Sequence, residues 1–300
     1  MRDVPLWQDR TRARHRVAQT LVGAACDVRR LRALEGGANN RGIALYEAVA
    51  RDDGRRTHRF VEKITPDRTE FQVASLLAKT AGSPVMPRVL ATSTNPGGYV
   101  VFMEWWPEAA DTGASQAADR PDPVHLARAV HRLPLDFAAL AGNPDFPRSA
   151  PYFERLAARF RSYLRKTAGI GEARLAHALS TVAAMPRSIT HDDLNFSNIV
   201  PRPVAPGIGV GLIDVGSIRL NAAGSSFQRL ALLDVVEGEG APLREATAEY
   251  ARLSDSAAHN LRFAAYLYAA SRRLNRNVNK LEPDPFETPA RLLEHALREL

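Results

Sequence analysis

Thr190-His191-Asp192-Asp193-Leu194-Asn195-Phe196-Ser197-Asn198-Ile199-Val200 is followed, after a segment rich in proline and glycine, by Gly211-Leu212-Ile213-Asp214-Val215-Gly216. The first stretch places two acids and an amide in a loop, and the second places a third acid at the end of an apolar strand. Asp193 and Asn198 are 5 residues apart, and Asp214 follows 16 residues later. A phosphoryl-transfer site uses one carboxylate to orient a hydroxyl, then an amide and a second carboxylate to hold Mg²⁺. The spacing is typical of such a site.

The order His-x-Asp-x-x-x-x-Asn, followed by Ile-Asp, resembles the motif of the aminoglycoside phosphotransferase and choline kinase family. These are small-molecule kinases built on the protein-kinase plan. The resemblance implies transfer of the γ-phosphate of ATP or GTP to a hydroxyl of a small molecule, with Asp193 as base and Mg²⁺ held by Asn198 and Asp214. His191 is expected to be structural, bonding backbone near Asp214, because the sequence shows no partner for proton transfer.

Hydrophobic periodicity in residues 1–106 predicts an amphipathic helix at about residues 7–25, and then the element order strand-strand-strand-helix-strand-strand. The second helix is expected to start at Thr65-Pro66-Asp67, with Thr65 as its cap, and to run to about Ala81. The predicted strands are Val28–Leu34, Ile43–Ala50, His58–Ile64, Pro87–Ser93 and Tyr99–Trp105. This order is that of a kinase N-terminal lobe.

The rest of the chain is predicted to be mainly helical. Residues 107–123 are rich in Pro, Ala, Gly and Asp and indicate a linker. Helices are expected at about 155–166, 173–184, 227–236, 243–253, 257–274 and 289–300. The predicted fold class is therefore α+β: a bilobal protein-kinase-like fold with a small N-lobe, made of an antiparallel sheet plus a helix, and a larger, mainly helical C-lobe. The expected domains are a nucleotide-binding lobe at 1–106 and a catalytic and substrate-binding lobe at 107–300.

Four polar or glycine positions between the first two predicted strands are candidates for nucleotide binding: Gly36, Gly37, Asn39 and Asn40. Glycine lets backbone N–H groups approach a triphosphate closely, because no Cβ intervenes. The segment resembles the loose Gly-Gly-x-x-Asn loop of the same family. A tight hairpin turn with no contact to phosphate is the alternative interpretation.

Two further nucleotide contacts are expected in the N-lobe. Lys63 shares a strand face with Val61, opposite Phe60 and Glu62, which suits a lysine that reaches the phosphates. Glu70 on the next helix is expected to form the Lys–Glu ion pair that positions this lysine in kinases. Taken in isolation, Lys63 would more often be a strand-edge lysine and Glu70 an exposed helical residue, and the pair carries weight because strand, spacing and helix agree.

The stretch from Val100 to Pro107 is expected to be the hinge between the lobes. By resemblance, the Glu104 carbonyl and the Trp106 N–H are the candidates to bind a purine edge. Tryptophans that close a core at this junction, or an aromatic box for a quaternary ammonium substrate, are the alternatives.

The chain departs from the family pattern at three places. Asp192 stands where family members commonly have Gly, and this carboxylate could face solvent, raise the proton affinity of Asp193 or contact a cationic substrate. The metal motif reads Asp214-Val215-Gly216, closer to the protein-kinase pattern. The segment Phe227-Gln228-Arg229-Leu230-Ala231 lacks the acid usual in the family.

Composition bounds the class of protein. The 300 residues carry a net charge of +7, and the excess lies in the N-terminal third, notably at Arg10, Arg12, Arg14 and Arg16. Such a run is most often a solvated helix face, although it can contact polyanions. There is no apolar run of about 20 residues, no signal-like segment, and only one cysteine, Cys26. We therefore expect a cytoplasmic protein with no membrane partner, no nucleic-acid partner, and an unknown oligomeric state.

The acceptor and two alternative functions stay open. The acceptor alcohol could be an amino alcohol, a sugar, an antibiotic or an amino acid. Four acids could form a cleft for a polycation or be exposed helix-end residues: Asp234, Glu237, Glu239 and Glu245. The alternatives to an active enzyme of this class are a catalytically silent nucleotide-binding pseudokinase and, less favoured, a protein kinase.

Overall fold

The structure is a computed structural model that describes residues 6–34, 41–52, 54–95, 97–106, 121–148, 171–203, 208–280 and 287–300. The described parts of Met1–Gln116, Gly142–Pro147 and Gly211–Ser217 form one compact unit. Those of Ala117–Ala141, Arg148–Val210 and Ile218–Leu300 form a second. The expected α+β bilobal fold is confirmed, while the boundary between residues 106 and 107 stays a prediction.

A five-stranded antiparallel sheet of order β1-β2-β3-β5-β4 forms the centre of the first unit. The predicted order of strands and helix is confirmed, and every strand end lies within about two residues of its predicted position. The strands are β1 (Cys26–Leu34), β2 (Gly42–Ala50), β3 (Thr57–Thr65), β4 (Val89–Asn95) and β5 (Gly98–Glu104).

Helix α1 (Leu6–Val22) covers one face of this sheet, where its Val17, Ala18 and Val22 pack with Phe60 of β3 and Phe102 of β5. Because side chains alternate along a strand, Glu62 shares the Phe60 face and Lys63 lies on the other. The expected alternation of β3 therefore places its lysine on the face away from α1.

Helix α2 (Arg68–Leu77) packs against β3, β4 and β5. Its cap is Asp67, whose carboxylate accepts from the N–H groups of Thr69 at 2.7 Å and Glu70 at 3.4 Å. The prediction of Thr65 as cap was wrong because Thr65 is the last residue of β3, and its hydroxyl accepts from the N–H of Asp67 at 3.1 Å. The helix also ends at Leu77 rather than near Ala81.

The N-terminal arginines divide into two pairs. Arg12 and Arg16 are exposed, as expected for a solvated face. Arg10 and Arg14 instead hold Glu62, whose side chain is 1% exposed, and Arg14 Nε lies 2.7 Å from Glu62 Oε2. The helical spacing of four residues places both guanidinium groups over the same carboxylate, which the charge run alone did not indicate.

The second unit is mainly helical. Its helix α8 (Ala258–Lys280) packs against a 3₁₀ turn at Ala223–Phe227 and against three neighbouring helices. The predicted helix at 155–166 lies outside the described residues, and helix α3 (Pro123–Asp136) was not predicted from the sequence. The helices are α3 (Pro123–Asp136), α4 (Ala138–Ala141), α5 (Glu172–Ala184), α6 (Gln228–Glu237), α7 (Ala241–Leu253), α8 (Ala258–Lys280) and α9 (Glu287–Arg298).

Two short sheets flank the motif residues. In the first, β6 (Arg187–His191) pairs with β9 (Ile218–Ala222), and in the second β7 (Ile199–Pro203) pairs with β8 (Ile208–Leu212). Within the part of the chain that the structure describes, no helix combines the length and the apolar character needed to cross a membrane.

Candidate active site

The first unit brings Lys63, Glu70 and Asp214 together. Lys63 Nζ lies 2.6 Å from Glu70 Oε1 and 2.9 Å from Asp214 Oδ1. The side chains of Lys63 and Glu70 are each only 9% exposed, while that of Asp214 is 28% exposed. The lysine on β3 is thus held between a helical glutamate and the acid of the second motif stretch.

The charge state of Lys63 follows from these two neighbours. Burial acts to lower the pKa of the lysine, because the charged form loses solvation. The negative charges of Asp214 and Glu70 act in the opposite direction and outweigh burial, so that the pKa of Lys63 lies above its ordinary value. The side chain is therefore a fixed cation at neutral pH.

Asp214 has an unusual backbone conformation. Its φ is 67°, and it is the one non-glycine residue with a positive φ within the described ranges. The Ser217 hydroxyl donates to Asp214 Oδ2 at 2.9 Å, and the Ser217 N–H donates to the Asp214 carbonyl at 3.0 Å. Such conformations cost about 1–3 kcal/mol and persist where the surroundings determine them, often at functional sites.

Gly216 makes room for Glu70. A Cβ placed on Gly216 would lie 2.5 Å from Glu70 Cγ, 2.7 Å from its Cδ and 2.9 Å from its Oε1. Helix α2 packs against the 3₁₀ turn Val215–Ser217 that contains this glycine. The glycine of the Asp-Val-Gly sequence is thus required by the close approach of the ion-paired glutamate.

The second unit holds Asp193 and Asn198 in one loop. Asn198 Nδ2 donates to the Asp193 carbonyl at 2.7 Å, and Asn195 Nδ2 donates to Asp193 Oδ1 at 2.7 Å. Asp193 Oδ1 also lies 3.0 Å from Nη2 of Arg272 on α8. The Asp193 side chain is 31% exposed, so its carboxylate is accessible and oriented at the same time.

His191 is a fully buried part of this loop. Its Nδ1 accepts from the Asp193 N–H at 3.3 Å, and its own backbone N–H donates to the Ser226 hydroxyl at 3.2 Å. These two contacts give the histidine a structural role: it holds the backbone at Asp193.

Asp192 is a buried structural carboxylate, and the suggestion that it faces solvent was wrong. Its carboxylate accepts hydrogen bonds from four uncharged side chains on β6, β9, the following 3₁₀ turn and α8, and these supply the contacts that a buried carboxylate requires. The donors and their distances are Thr190 Oγ1 (2.8 Å), Asn221 Nδ2 (3.2 Å), Ser225 Oγ (3.2 Å) and Tyr268 OH (2.8 Å). The carbonyl of Asp192 accepts from Gln228 Nε2 and Arg272 Nη1.

Asn198 carries an amide oxygen and Asp214 a carboxylate, and each is a type of ligand that Mg²⁺ accepts. The Asn198 amide donates through its nitrogen, so its oxygen is not used in that bond. Among the described residues, no group of three or more His, Cys, Asp or Glu side chains is arranged to hold a metal ion. A nucleotide-dependent Mg²⁺ does not need such a group, because one or two carboxylates, water and substrate phosphates complete its shell.

Of the other residues predicted to bind nucleotide, the structure describes Glu104 and Trp106. Glu104 is the last residue of β5, its N–H donates to the Arg88 carbonyl at 3.0 Å, and Trp106 follows two residues later in irregular backbone. Gly36, Gly37, Asn39 and Asn40 lie outside the described residues.

Three of the four acids that could form a cleft for a polycation have ordinary structural or surface positions. Asp234 Oδ2 accepts from the Tyr266 hydroxyl and lies 3.8 Å from His295 Nδ1. Glu237 and Glu245 are exposed. These positions favour the interpretation as structural and surface acids.

Sequence reasoning missed the residues that hold the loop from a distance. Asn221, Ser225, Tyr268 and Arg272 lie 29 to 80 residues from Asp192. The spacing of Tyr268 and Arg272, one helical turn apart, was the available signal, since it places both on one face of α8.

The model of the phosphotransferase enzyme family matches residues 30–260, which is most of the chain. This match confirms the family resemblance drawn from the motif. Among curated protein sequences, none matches this chain.

Several solved structures share the fold. Aminoglycoside phosphotransferase APH(4)-Ia has 13% identity and a TM-score of 0.56, with 97% of this chain and 99% of that chain covered. A thermostable variant of that protein, in a ternary complex with AMP-PNP and hygromycin B, has 12% identity and a TM-score of 0.53, with 96% and 98% covered. A variant of aminoglycoside 2′-phosphotransferase IIIa in complex with GDP has 12% identity and a TM-score of 0.53, with 90% and 91% covered.

Proposed function

We propose, since the chain belongs to the phosphotransferase enzyme family, that it is an active kinase for a small molecule. The reaction is transfer of the γ-phosphate of ATP or GTP to a hydroxyl of that molecule. The observation that supports this most is the Lys63–Glu70–Asp214 cluster, a buried cation fixed between two carboxylates. Asp214 also has a strained backbone, and strain of this kind occurs most often at functional sites.

The nucleotide would be bound by the first unit. Lys63, positioned by Glu70, carries the positive charge that suits the α- and β-phosphates. The Glu104 carbonyl and Trp106 N–H would meet the purine edge. Backbone and side chains at Gly36, Gly37, Asn39 and Asn40 would cover the phosphates.

The acceptor hydroxyl would be oriented by Asp193. This carboxylate is partly exposed and its rotamer is set by neighbouring donors, as the base of a phosphoryl transfer requires. Asn198 and Asp214 would hold Mg²⁺, which when bound supplies positive charge to the phosphate oxygens. A protein substrate is less favoured, because the described residues of 199–226, which are 199–203 and 208–226, form short strands and turns and leave little length for an activation loop.

The test is a panel of acceptors, scored by release of ADP or GDP in the presence of Mg²⁺. The panel contains amino alcohols, sugars, amino acids and aminoglycosides, the last because a fold relative was solved with hygromycin B. Release of nucleoside diphosphate with one acceptor class is the expected result. No release with any acceptor, while nucleotide still binds, would favour a pseudokinase.

Two variants test the assigned roles. Asp193→Asn should lower kcat by about 10²–10⁴-fold and leave the nucleotide Kd within about twofold, because the base acts in the chemical step.

Asp214→Ala should abolish the Mg²⁺-dependent part of nucleotide binding, measured by calorimetry with and without the ion. Asp27→Asn is the matched control, since it removes an exposed carboxylate that pairs with Arg51. Unchanged turnover or unchanged Mg²⁺ dependence would remove the respective assignment.

A further inference from the structure

Arg272 reaches the catalytic loop from α8, 80 residues further along the chain than Asp192. Its Nη1 donates to the Asp192 carbonyl, and its Nη2 lies 3.0 Å from Asp193 Oδ1. One planar guanidinium group therefore bridges the backbone and the side chain of two consecutive loop residues. A guanidinium group has several N–H donors in one fixed plane, whereas the donors of a lysine ammonium group all lie on a single nitrogen and cannot span two separate acceptors in this way.

The two oxygens of the Asp193 carboxylate differ in their contacts. Asn195 Nδ2 and Arg272 Nη2 both meet Oδ1, and no donor from the described residues meets Oδ2. We propose that Arg272 is a positioning residue for Asp193: it fixes the carboxylate through Oδ1 and leaves Oδ2 to accept the hydrogen bond of the acceptor hydroxyl. This inference rests on the proposed function, in which Asp193 is the base.

The support for Arg272 is rigid. Its helix is anchored by buried residues such as Phe263, Ala265 and Leu267. Tyr268, one turn before Arg272, donates its hydroxyl to Asp192 Oδ2 at 2.8 Å. The same helix face thus contacts the loop at Asp192 and at Asp193, so that the loop cannot rotate without breaking both contacts.

A purely stabilising role explains the arrangement poorly. The side chains of Arg272 and Asp193 are 41% and 31% exposed, and ion pairs of this exposure contribute little to folding. Their orienting effect is a different matter, because a displacement of about 1 Å at a reacting group can cost about 10²-fold in rate. Loss of Arg272 should therefore appear in turnover much more than in stability.

The first experiment compares Arg272→Gln and Arg272→Lys with wild type. Arg272→Gln should lower kcat about 10–100-fold, with KM for the nucleotide within about twofold and a melting temperature within about 3 °C. Arg272→Lys keeps the charge but cannot bridge both acceptors, so it should recover only part of the lost turnover. An unchanged or higher kcat in Arg272→Gln would overturn the proposal, since it would show that the contact is neutral or restrains the base.

Arg262→Gln is the matched control on the same helix. Arg262 makes a two-pronged ion pair with Glu299, at 2.8 and 2.7 Å, away from the loop. Its replacement makes the same change in charge and should leave kcat unchanged. A similar loss of kcat in both variants would point to helix stability and overturn the positioning role.

Crystal structures of wild type and Arg272→Gln give a readout that needs no acceptor. The proposal predicts that the Asp193 carboxylate changes its rotamer in the variant while the Asn198 contact to its carbonyl persists. An unmoved carboxylate would overturn the inference. If wild type transfers phosphate to no acceptor, the proposed function fails, and the two crystal structures still decide whether Arg272 positions Asp193.

Discussion

The substitution Gly216→Ala tests whether the Lys63–Glu70 pair depends on a glycine in the Asp-Val-Gly turn. The added methyl carbon would lie 2.5 Å from Glu70 Cγ, whereas nonbonded carbons normally approach to about 3.5–4.0 Å. Glu70 must therefore retreat by about 1 Å, and overpacking of this kind costs about 1–3 kcal/mol. Lys63 would keep Asp214 and lose its 2.6 Å contact with Glu70.

The expected result is a fall of about 10–100-fold in kcat/KM for the nucleotide, because the lysine is no longer held on both sides. Steady-state kinetics measure the fall, and urea unfolding measures the loss of stability. Gly142→Ala is the matched control, since a Cβ at Gly142 meets nothing within 4 Å in the same unit. That control should match wild type in both assays.

A double-mutant cycle with Glu70→Ala isolates the cause. Once the glutamate side chain is removed, the methyl group at position 216 no longer meets it, so Gly216→Ala should add little to the effect of Glu70→Ala. Full additivity of the two effects would refute the reasoning, because the glycine would then act through some other neighbour. An unaffected single variant would refute it as well.

Three further substitutions test the buried polar groups. Glu62→Gln should lower the free energy of unfolding in urea by about 2–4 kcal/mol, because two arginines of α1 lose the negative charge of the buried carboxylate that they share. A loss below about 0.5 kcal/mol would show that solvent screens these ion pairs. Asp192→Asn should cost about 1–3 kcal/mol, because an amide has a single accepting oxygen and turns an NH₂ group toward donors that now meet a carboxylate oxygen, and an equally stable variant would contradict that network. Burial and the Asp234 carboxylate raise the pKa of Tyr266 above its ordinary value of 10.0. The unfolded chain should therefore lose this proton first, and wild-type stability should fall above about pH 10 by an amount that Tyr266→Phe removes; equal alkaline profiles would exclude the effect.

The pairing of Lys63 with Glu70 was predicted from the resemblance to kinases, and the strand alternation agreed with it. Alternation places Lys63 on the face of β3 opposite Glu62, and α2 follows β3 directly, so its first turn brings Glu70 to that face. Local rules of this kind work because both partners lie within one strand–helix unit. The same rules predicted every strand of the sheet to within about two residues.

The environment of Asp192 could not be predicted in this way. Its donors come from four separate elements, and three of them lie 29 to 76 residues away along the chain. From the local sequence alone, an acid beside the base could face solvent, raise the proton affinity of Asp193 or contact a cationic substrate. Only the packing of β9, the 3₁₀ turn and α8 around the loop shows that uncharged donors satisfy it.

The contacts that hold Asp214 in position could not be predicted from the sequence either. Asp214 follows Asn198 by 16 residues, yet the segment Gly211–Ser217 groups with the first unit. The Leu212 N–H donates to the Val85 carbonyl at 2.7 Å, Lys63 pairs with Asp214, and Glu70 packs on Gly216. Together these contacts offset a left-handed backbone that costs about 1–3 kcal/mol at a non-glycine residue. Every partner in these contacts belongs to the first unit, so that β3, α2 and the segment at Val85 all contribute to the position of Asp214.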